Sequence, residues 1–135
     1  MRDALLTPPT PRLAWIERIK SRLAGFSETA GLDAQVLLAS LLGKTRAWTL
    51  AHPEVELTAL QMGALEEKLL RLERGEPLPY VLGEWEFYGL NFYLSPAVLI
   101  PRPETELLVE TALSYLRDRF GPHIAADVGT GSGCI

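Results

Sequence analysis

The sequence predicts three successive parts: an α-helical bundle, a β-hairpin linker and the beginning of an α/β domain. Over residues 1–75, apolar side chains recur at helical spacing and short polar loops separate the runs, which is the pattern of a helical bundle. Over residues 76–102, prolines interrupt this pattern and apolar residues then alternate with polar ones, as they do in paired strands. Over residues 103–135, a helix and a short apolar run lead into a glycine-rich loop, an order typical of α/β folds.

Composition and charge exclude several classes of protein. The 135 residues are 47% hydrophobic and 22% charged, a balance that favours a folded core over disorder. No apolar run reaches the roughly 18 residues of a membrane span, and no secretory signal is expected before Pro8. Residues 76–135 carry three basic and eight acidic side chains, so direct nucleic-acid binding is not expected. No membrane partner is expected either, because a long apolar run is missing. A single cysteine, Cys134, excludes an intrachain disulfide, and a cytoplasmic location is predicted.

The helices of the bundle are placed by their capping residues. The first helix is predicted to begin with Thr10 as N-cap and Pro11 as first helical residue. The second is predicted from about Asp33, and because it is apolar on most sides we expect it at the centre of the bundle. Thr45 is expected to cap a short helical turn. Thr58, three residues before a glutamine, has the spacing of a capping box that opens the next long helix.

The remaining elements are predicted from changes of period. The prolines within residues 77–79 are expected to break the helical pattern, and two alternating segments around residues 88–89 predict a hairpin. Its aromatic rings are expected to form hairpin core, with a docking surface for a protein partner as the alternative. The helix that follows Pro103 is predicted to bury one stripe of side chains, and residues 124–128 are predicted to form a short buried strand. The stripe comprises Leu108, Ala112, Tyr115 and Leu116.

The run DVGTGSG at residues 127–133 carries the strongest chemical indication. Glycines remove the Cβ atoms that would keep a ligand away from main-chain N–H groups. The dinucleotide pattern would need glycine at position 134, where Cys134 stands, whereas G-x-G-x-G after an acidic residue is typical of S-adenosylmethionine (SAM) sites. A tight turn without a ligand is the alternative. The predicted cofactor-binding residues are Gly129, Thr130, Gly131, Ser132 and Gly133, with Asp127 as a further candidate.

A stiff charged segment, residues 101–106, precedes the last helix. One interpretation makes it a wall beside a cofactor or substrate pocket, with Arg102 as a candidate cofactor-binding residue. The other is a helix entry in which Arg102 is solvated or paired with a carboxylate, and spacing alone favours this one. His52 and His123 have no partners at ligand spacing, so no metal or catalytic role is predicted for them. Cys134 could be a nucleophile, but its apolar setting beside the glycine loop favours a buried small side chain.

Three segments, in this order and spacing, resemble one enzyme family. They are GEPLPYVLGEWEFYGL at residues 75–90, LIPRPETE at residues 99–106 and DVGTGSGCI at residues 127–135, and together they resemble the release factor glutamine methyltransferases of the HemK/PrmC family. Residues 32–39 and 50–54 are similar to that family's helical N-terminal domain. The glycine run alone would indicate only a SAM enzyme, whereas the combination is much more specific.

The resemblance implies a division of labour and a reaction. It implies a helical substrate-recognition domain (residues 1–75), a hairpin linker (76–102) and the truncated start of a Rossmann-like SAM methyltransferase domain (103–135). The reaction it implies is methyl transfer from SAM to the glutamine amide nitrogen in the Gly-Gly-Gln tripeptide of class 1 peptide chain release factors. The family's Asn-Pro-Pro-Tyr catalytic motif does not occur in these 135 residues, so no catalytic residue is assigned and this chain alone is expected to be inactive. The proline-rich residues 7–11 match nothing recognisable in the family.

Two other functions stay open at this point. One is a SAM-dependent N-methyltransferase that acts on DNA amines, which the acidic C-terminal half argues against. The other is a non-enzymatic module in which the helical part binds proteins and the aromatic hairpin docks a partner. Because a strand that feeds a glycine loop normally continues into a helix and further parallel strands, we expect the chain to be a fragment of a longer protein.

Overall fold

The computed structural model describes residues 15–135, which divide into two compact units between Leu82 and Gly83. The predicted helix start at Thr10 and Pro11, and the proline-rich residues 7–11, lie outside the described residues. The first unit is helical, and the second contains a hairpin, a 3-10 turn and one helix. The helices of the first unit are α1 (Trp15–Leu23), α2 (Ala30–Leu42), α3 (Arg46–Ala51), α4 (Ala59–Glu73) and α5 (Leu78–Leu82).

Helix α2 lies at the centre of the helical unit, as its apolar sequence predicts. It contacts α1, α3, α4 and α5, and α4 in turn contacts α1 and α5. The core between these helices is made of side chains that are almost fully buried, among them Trp15, Ile19, Leu37, Leu38, Leu65, Leu69 and Val81. Burial of this kind supplies most of the favourable free energy of a small helical domain.

Two predicted helix caps are confirmed. The Thr45 hydroxyl accepts a hydrogen bond from the Trp48 N–H at 3.2 Å and begins α3. At the start of α4 the Thr58 hydroxyl accepts from the Gln61 N–H at 3.2 Å, while the Gln61 side chain accepts from the Thr58 N–H at 2.9 Å. This reciprocal pair completes the capping box.

The predicted start of α2 at about Asp33 is wrong by three residues, because the helix begins at Ala30. The Asp33 carboxylate accepts hydrogen bonds from the hydroxyls of Ser27 and Thr29, so it fastens the preceding loop to the first turn. An acidic residue near a helix N-terminus also interacts favourably with the helix dipole. Asp33 therefore lies within the first turn of α2, which it stabilises, and is not the residue at which the helix begins.

The expected break in the helical pattern is confirmed, because α4 ends at Glu73, but a short helix that the sequence analysis does not predict, α5, begins at Leu78. The carbonyl of Pro77 accepts from the N–H groups of Tyr80 and Val81 at 3.0 and 3.2 Å. Pro79 is the second residue of α5, where the missing N–H would have had no partner inside the helix. A proline in the first turn is therefore compatible with this short helix.

The predicted hairpin of the second unit is confirmed as β1 (Glu84–Phe87) and β2 (Leu90–Tyr93), which pair antiparallel. Trp85 faces Phe92 and Phe87 faces Leu90, so these pairs share one face of the hairpin. The rings of Phe87 and Phe92 meet edge to face at 6.4 Å, and Phe87 is buried. The prediction of hairpin core is therefore confirmed for Phe87, whereas Tyr93 on the other face is 90% exposed.

The last helix forms as predicted, but its predicted burial is wrong. A 3-10 turn (Pro103–Thr105) leads into α6 (Glu106–Arg117). Leu108 and Tyr115 are 55% and 58% exposed, Ala112 is exposed and Leu116 is half-buried. The apolar spacing is sufficient to predict a helix. Burial of its apolar face needs other residues packed against that face, and none of residues 15–135 cover it.

The predicted strand at residues 124–128 does not form, and the predicted Rossmann-like start is not confirmed. Ile124 and Val128 are almost fully exposed. A parallel strand gains its hydrogen bonds from neighbouring strands, and the described residues supply no such neighbour. Among residues 15–135, every helix falls short of the length and apolar character that a membrane-spanning helix needs.

Candidate functional site

The predicted SAM loop exposes its main chain. Gly129, Gly131 and Gly133 have φ angles of +80°, +54° and +76°, which side-chain-bearing residues rarely adopt. A Cβ at Gly129 would meet no atom within 4 Å, and one at Gly131 would meet only the Gly129 carbonyl oxygen at 3.8 Å. The loop therefore requires glycine at these positions for its conformation, and space for a ligand lies beside the main chain.

Two hydrogen bonds hold the loop together. The Thr130 hydroxyl donates to the Asp127 carboxylate, and the Gly133 N–H donates to the Thr130 carbonyl at 2.8 Å. The structure therefore brings Asp127 and Thr130 together, as members of one turn. Ser132 is half-buried, whereas the other residues of the predicted loop are exposed.

Arg102 occupies the helix-entry position. Its backbone is extended, its carbonyl accepts from the Thr105 N–H at 2.9 Å, and Pro103 follows as the first residue of the 3-10 turn. Its exposed side chain makes no hydrogen bond or ion pair with any described residue, so nothing joins it to the glycine loop. A cofactor-binding role for Arg102 stays a prediction. In the described part of the chain, no cluster of acidic, histidine or cysteine side chains is arranged to hold a metal ion.

The helical unit contains an ionic cluster that sequence reasoning missed. The Arg22 guanidinium from α1 binds both oxygens of Glu66 and also Glu73, two carboxylates of α4, with the Nη2–Oε1 distance to Glu66 at 2.7 Å. Hydrogen bonding from Arg22 lowers the pKa of the Glu66 carboxyl, and the same bonds raise the pKa of Arg22. The partners lie 44 and 51 residues from Arg22 in sequence, so no local pattern could have indicated them.

A cleft of about 190 Å³ opens on the helical unit beside this cluster's helices. Apolar side chains from α1, α4 and α5 line part of it, and Phe26, which also lines it, is 60% exposed. The apolar lining from the helices is Leu23, Leu72 and Leu78. Polar side chains line the rest of the cleft, so it combines an exposed aromatic ring with a mixed lining, as surfaces that bind proteins often do.

Comparison with known proteins now decides the family. A family model for the PrmC N-terminal domain matches residues 14–83, which contain all of α1 to α5. The chain belongs to the PrmC N-terminal domain family. The five helices of the first unit are therefore the helices of a PrmC N-terminal domain. The match to the family model ends at Gly83, the residue that directly follows α5.

Relatives of this PrmC-type chain share one name. A release factor glutamine methyltransferase of Coxiella burnetii is 44% identical over 119 residues, which are 88% of this chain and 43% of that protein. The corresponding protein of Escherichia coli is 41% identical over 121 residues, 90% of this chain and 43% of its own length. That of Bordetella pertussis is 47% identical over 104 residues, 77% and 38%. The chain thus spans less than half the length of these curated relatives.

Proposed function

We propose that this chain is the N-terminal part of a protein-(glutamine-N5) methyltransferase that uses SAM to methylate the Gly-Gly-Gln glutamine of class 1 peptide chain release factors. The observation that carries the proposal is the match of the helical unit to the PrmC N-terminal domain, together with relatives named release factor glutamine methyltransferase. A match over 90% of the chain extends well into the second unit, because the helical unit ends at Leu82. Those names support this function and neither of the two alternatives.

The three parts of the chain would then have separate tasks. Residues 1–75 would recognise the release factor, residues 76–102 would link, and residues 103–135 would begin the methyltransferase domain. The exposed main chain of the glycine loop supports a SAM site at Gly129, Thr130, Gly131, Ser132 and Gly133, with Asp127 and Arg102 as further candidates. Because its substrate is a factor of translation termination, the enzyme would work in the cytoplasm.

The chemistry explains why a recognition domain matters. An amide nitrogen is a weak nucleophile, since its lone pair is delocalised into the carbonyl group. When bound, SAM supplies an electrophilic methyl group on its sulfonium sulfur. The protein must therefore hold the glutamine nitrogen in line with that methyl group and offer hydrogen-bond acceptors to the amide N–H groups. We assign none of these acceptors to residues 1–135, and we expect this chain alone to be inactive.

Methylation of a class 1 release factor, measured by mass spectrometry, tests the proposal. With the full-length protein and SAM, the tripeptide glutamine should gain one methyl group, and a release factor with glutamate at that position should gain none. Gly131→Val in the full-length protein should abolish transfer, because valine cannot easily adopt the observed φ of +54° and its side chain would occupy the ligand space. Gly63→Ala, at an exposed position within α4, is the matched control and should keep activity.

Two results would contradict the proposed function. The first is a full-length protein that leaves the glutamine unmodified while the release factor is correctly folded. The second is robust turnover by the 135-residue chain alone.

A further inference from the structure

The segment that begins at Gly75 carries much of the family resemblance, and the structure gives its first half a physical task. Glu76, Tyr80 and Val81 are each bound by a cationic side chain of α4. The site is distinct from the predicted SAM loop.

Arg71 of α4 makes most of the side-chain hydrogen bonds to this segment. Its Nε and Nη2 donate to the two oxygens of Glu76 at 2.7 and 2.6 Å, which is the two-point geometry that fits a carboxylate to a guanidinium. The same Nη2 donates to the Tyr80 carbonyl at 3.1 Å, and Nη1 lies 3.5 Å from the Val81 carbonyl. One turn earlier on α4, the Lys68 ammonium donates to the Val81 carbonyl at 2.9 Å.

These hydrogen bonds are made to carbonyl groups near the C-terminal end of α5. The last carbonyls of a helix have no partner within the helix, and a helix of only five residues with a proline in it has little stability of its own. Cationic donors at a helix C-terminus satisfy those carbonyls and interact favourably with the helix dipole. The Arg71 guanidinium also lowers the pKa of the Glu76 carboxyl, so this ion pair is fully charged at neutral pH.

The chain leaves the helical unit directly after these carbonyls. Gly83 follows α5 with a φ of +80°, and its own carbonyl accepts from the Leu94 N–H at 2.9 Å, immediately beyond the hairpin.

We propose that Lys68, Arg71 and Glu76 form a clasp that fixes the C-terminal end of α5, and that through it they act as positioning residues for the proposed methyl transfer. The clasp keeps α5 packed against α4 within the helical unit, which is the unit proposed to recognise the release factor. The positioning role rests on the proposed function, whereas the clasp itself does not.

Hydrogen exchange on the 135-residue chain tests the clasp itself. In the double variant Lys68→Met and Arg71→Met, the amides of Tyr80 and Val81, both bonded to the Pro77 carbonyl, should lose protection by about tenfold or more, since bonds from charged donors are lost. Amides within α2 should keep their protection. Arg74→Met is the matched control, because Arg74 is exposed and its side chain has no bond to any described residue. Lys68→Arg, which keeps a cationic donor, should also keep protection.

If the double variant does not fold, Glu76→Gln provides the decisive measurement. It removes only the charge that orients Arg71, so a smaller loss of protection confined to α5 is expected. Unchanged protection of Tyr80 and Val81 in whichever variant is folded would overturn the clasp.

Kinetics of the full-length protein test the positioning role. A folded variant with a loosened clasp should raise KM for the release factor several-fold while KM for SAM stays unchanged, and Lys68→Arg, which keeps a cationic donor, should keep the wild-type KM. An unchanged KM for the release factor in a variant that has lost α5 protection would overturn the role. If the wild-type protein methylates nothing, the proposed function and this role both fail, and hydrogen exchange still decides whether the clasp exists.

Discussion

The helical unit and the second unit carry equally clear sequence patterns, but the helices of the first unit bury their apolar side chains, whereas α6 and residues 124–128 of the second unit leave most of theirs exposed. In the helical unit, Leu37 and Leu65 have no solvent-accessible surface. In the second unit, Leu108 on α6 is 55% exposed, and Ile124 in the predicted strand is fully exposed. An amphipathic pattern therefore predicts a helix. It does not show which residues pack against the apolar face of that helix.

The comparison also separates two kinds of evidence for function. The helical unit coincides with the matched PrmC N-terminal domain, and its core contacts are present among residues 15–82. The glycine loop has the conformation that a ligand site needs, yet no regular element of the described chain precedes or follows it directly. The proposed recognition of the release factor therefore rests on a packed domain, whereas the proposed SAM site rests on a sequence motif.

The largest contrast between the units is expected for core truncation. Leu65→Ala should lower the free energy of unfolding by about 2–5 kcal/mol, because it leaves a cavity at a fully buried site. Leu108→Ala removes the same atoms from α6 and should cost less than about 0.5 kcal/mol, the usual range for exposed positions. Urea unfolding followed by circular dichroism measures both. Equal losses would remove the distinction between the two units.

A smaller effect is expected at the ionic cluster of the helical unit. Arg22→Met should cost about 1–2 kcal/mol, since it strips two carboxylates of their shared donor, while solvent that still reaches the cluster screens the charges. Lys20→Met is the control, because its pair with Glu17 at 3.3 Å is half exposed at both ends. The same urea experiment should show almost no change for that control. A loss as large as that of Arg22→Met would mean that the cluster has no special weight.

Helix caps sharpen the contrast further. Thr58→Ala should destabilise by about 1 kcal/mol, because it removes the capping box of α4. Thr105→Ala stands at the equivalent position of α6, where no side-chain cap bond is made, and should change stability by only a few tenths of a kcal/mol. Thermal unfolding of the two variants in parallel gives the difference. Equal stabilities of Thr58→Ala and Thr105→Ala would contradict a stabilising role for the capping box of α4.

The mildest effect is a dependence on acid. The Arg22 hydrogen bonds hold the pKa of Glu66 below its ordinary value of 4.5, so the folded state releases this proton more readily than the unfolded state. The resulting stability is complete above pH 4.5 and is lost as the pH falls through the lowered pKa of the folded state. Glu66→Gln should remove that part of the acid dependence, and Glu56→Gln, at an exposed site, should not. Unfolding curves measured from neutral to acidic pH would show the difference, and superimposable acid dependences in all three proteins would refute it.

Local patterns account for what the sequence could predict. The capping box of Thr58 and Gln61 lies within four residues, and the alternation around Tyr88 is equally short, so both are readable without tertiary context. Helix α5 is not predictable from this pattern because two prolines indicate a helix break, although Pro79 falls in the first turn, where a missing N–H leaves no hydrogen bond unmade.

Distant pairings account for what the sequence could not predict. The Arg22 cluster joins residues 44 and 51 positions apart, and only the fold brings them together. The clasp of Lys68 and Arg71 ends on backbone carbonyls, which no side-chain pattern reveals. For the candidate site, the glycine positions of the loop could be predicted from the sequence. The exposed residues of the predicted strand before the loop show that an apolar run forms a parallel strand only beside neighbouring strands.

Release factor binding measured by isothermal titration calorimetry tests the contrast between the two units most directly. We expect a class 1 release factor to bind the 135-residue chain, to bind residues 1–82 with similar affinity, and to lose binding when those residues are deleted from the full-length protein. Binding that survives the deletion, or a 135-residue chain that takes up no release factor, would contradict the assignment of recognition to the helical unit.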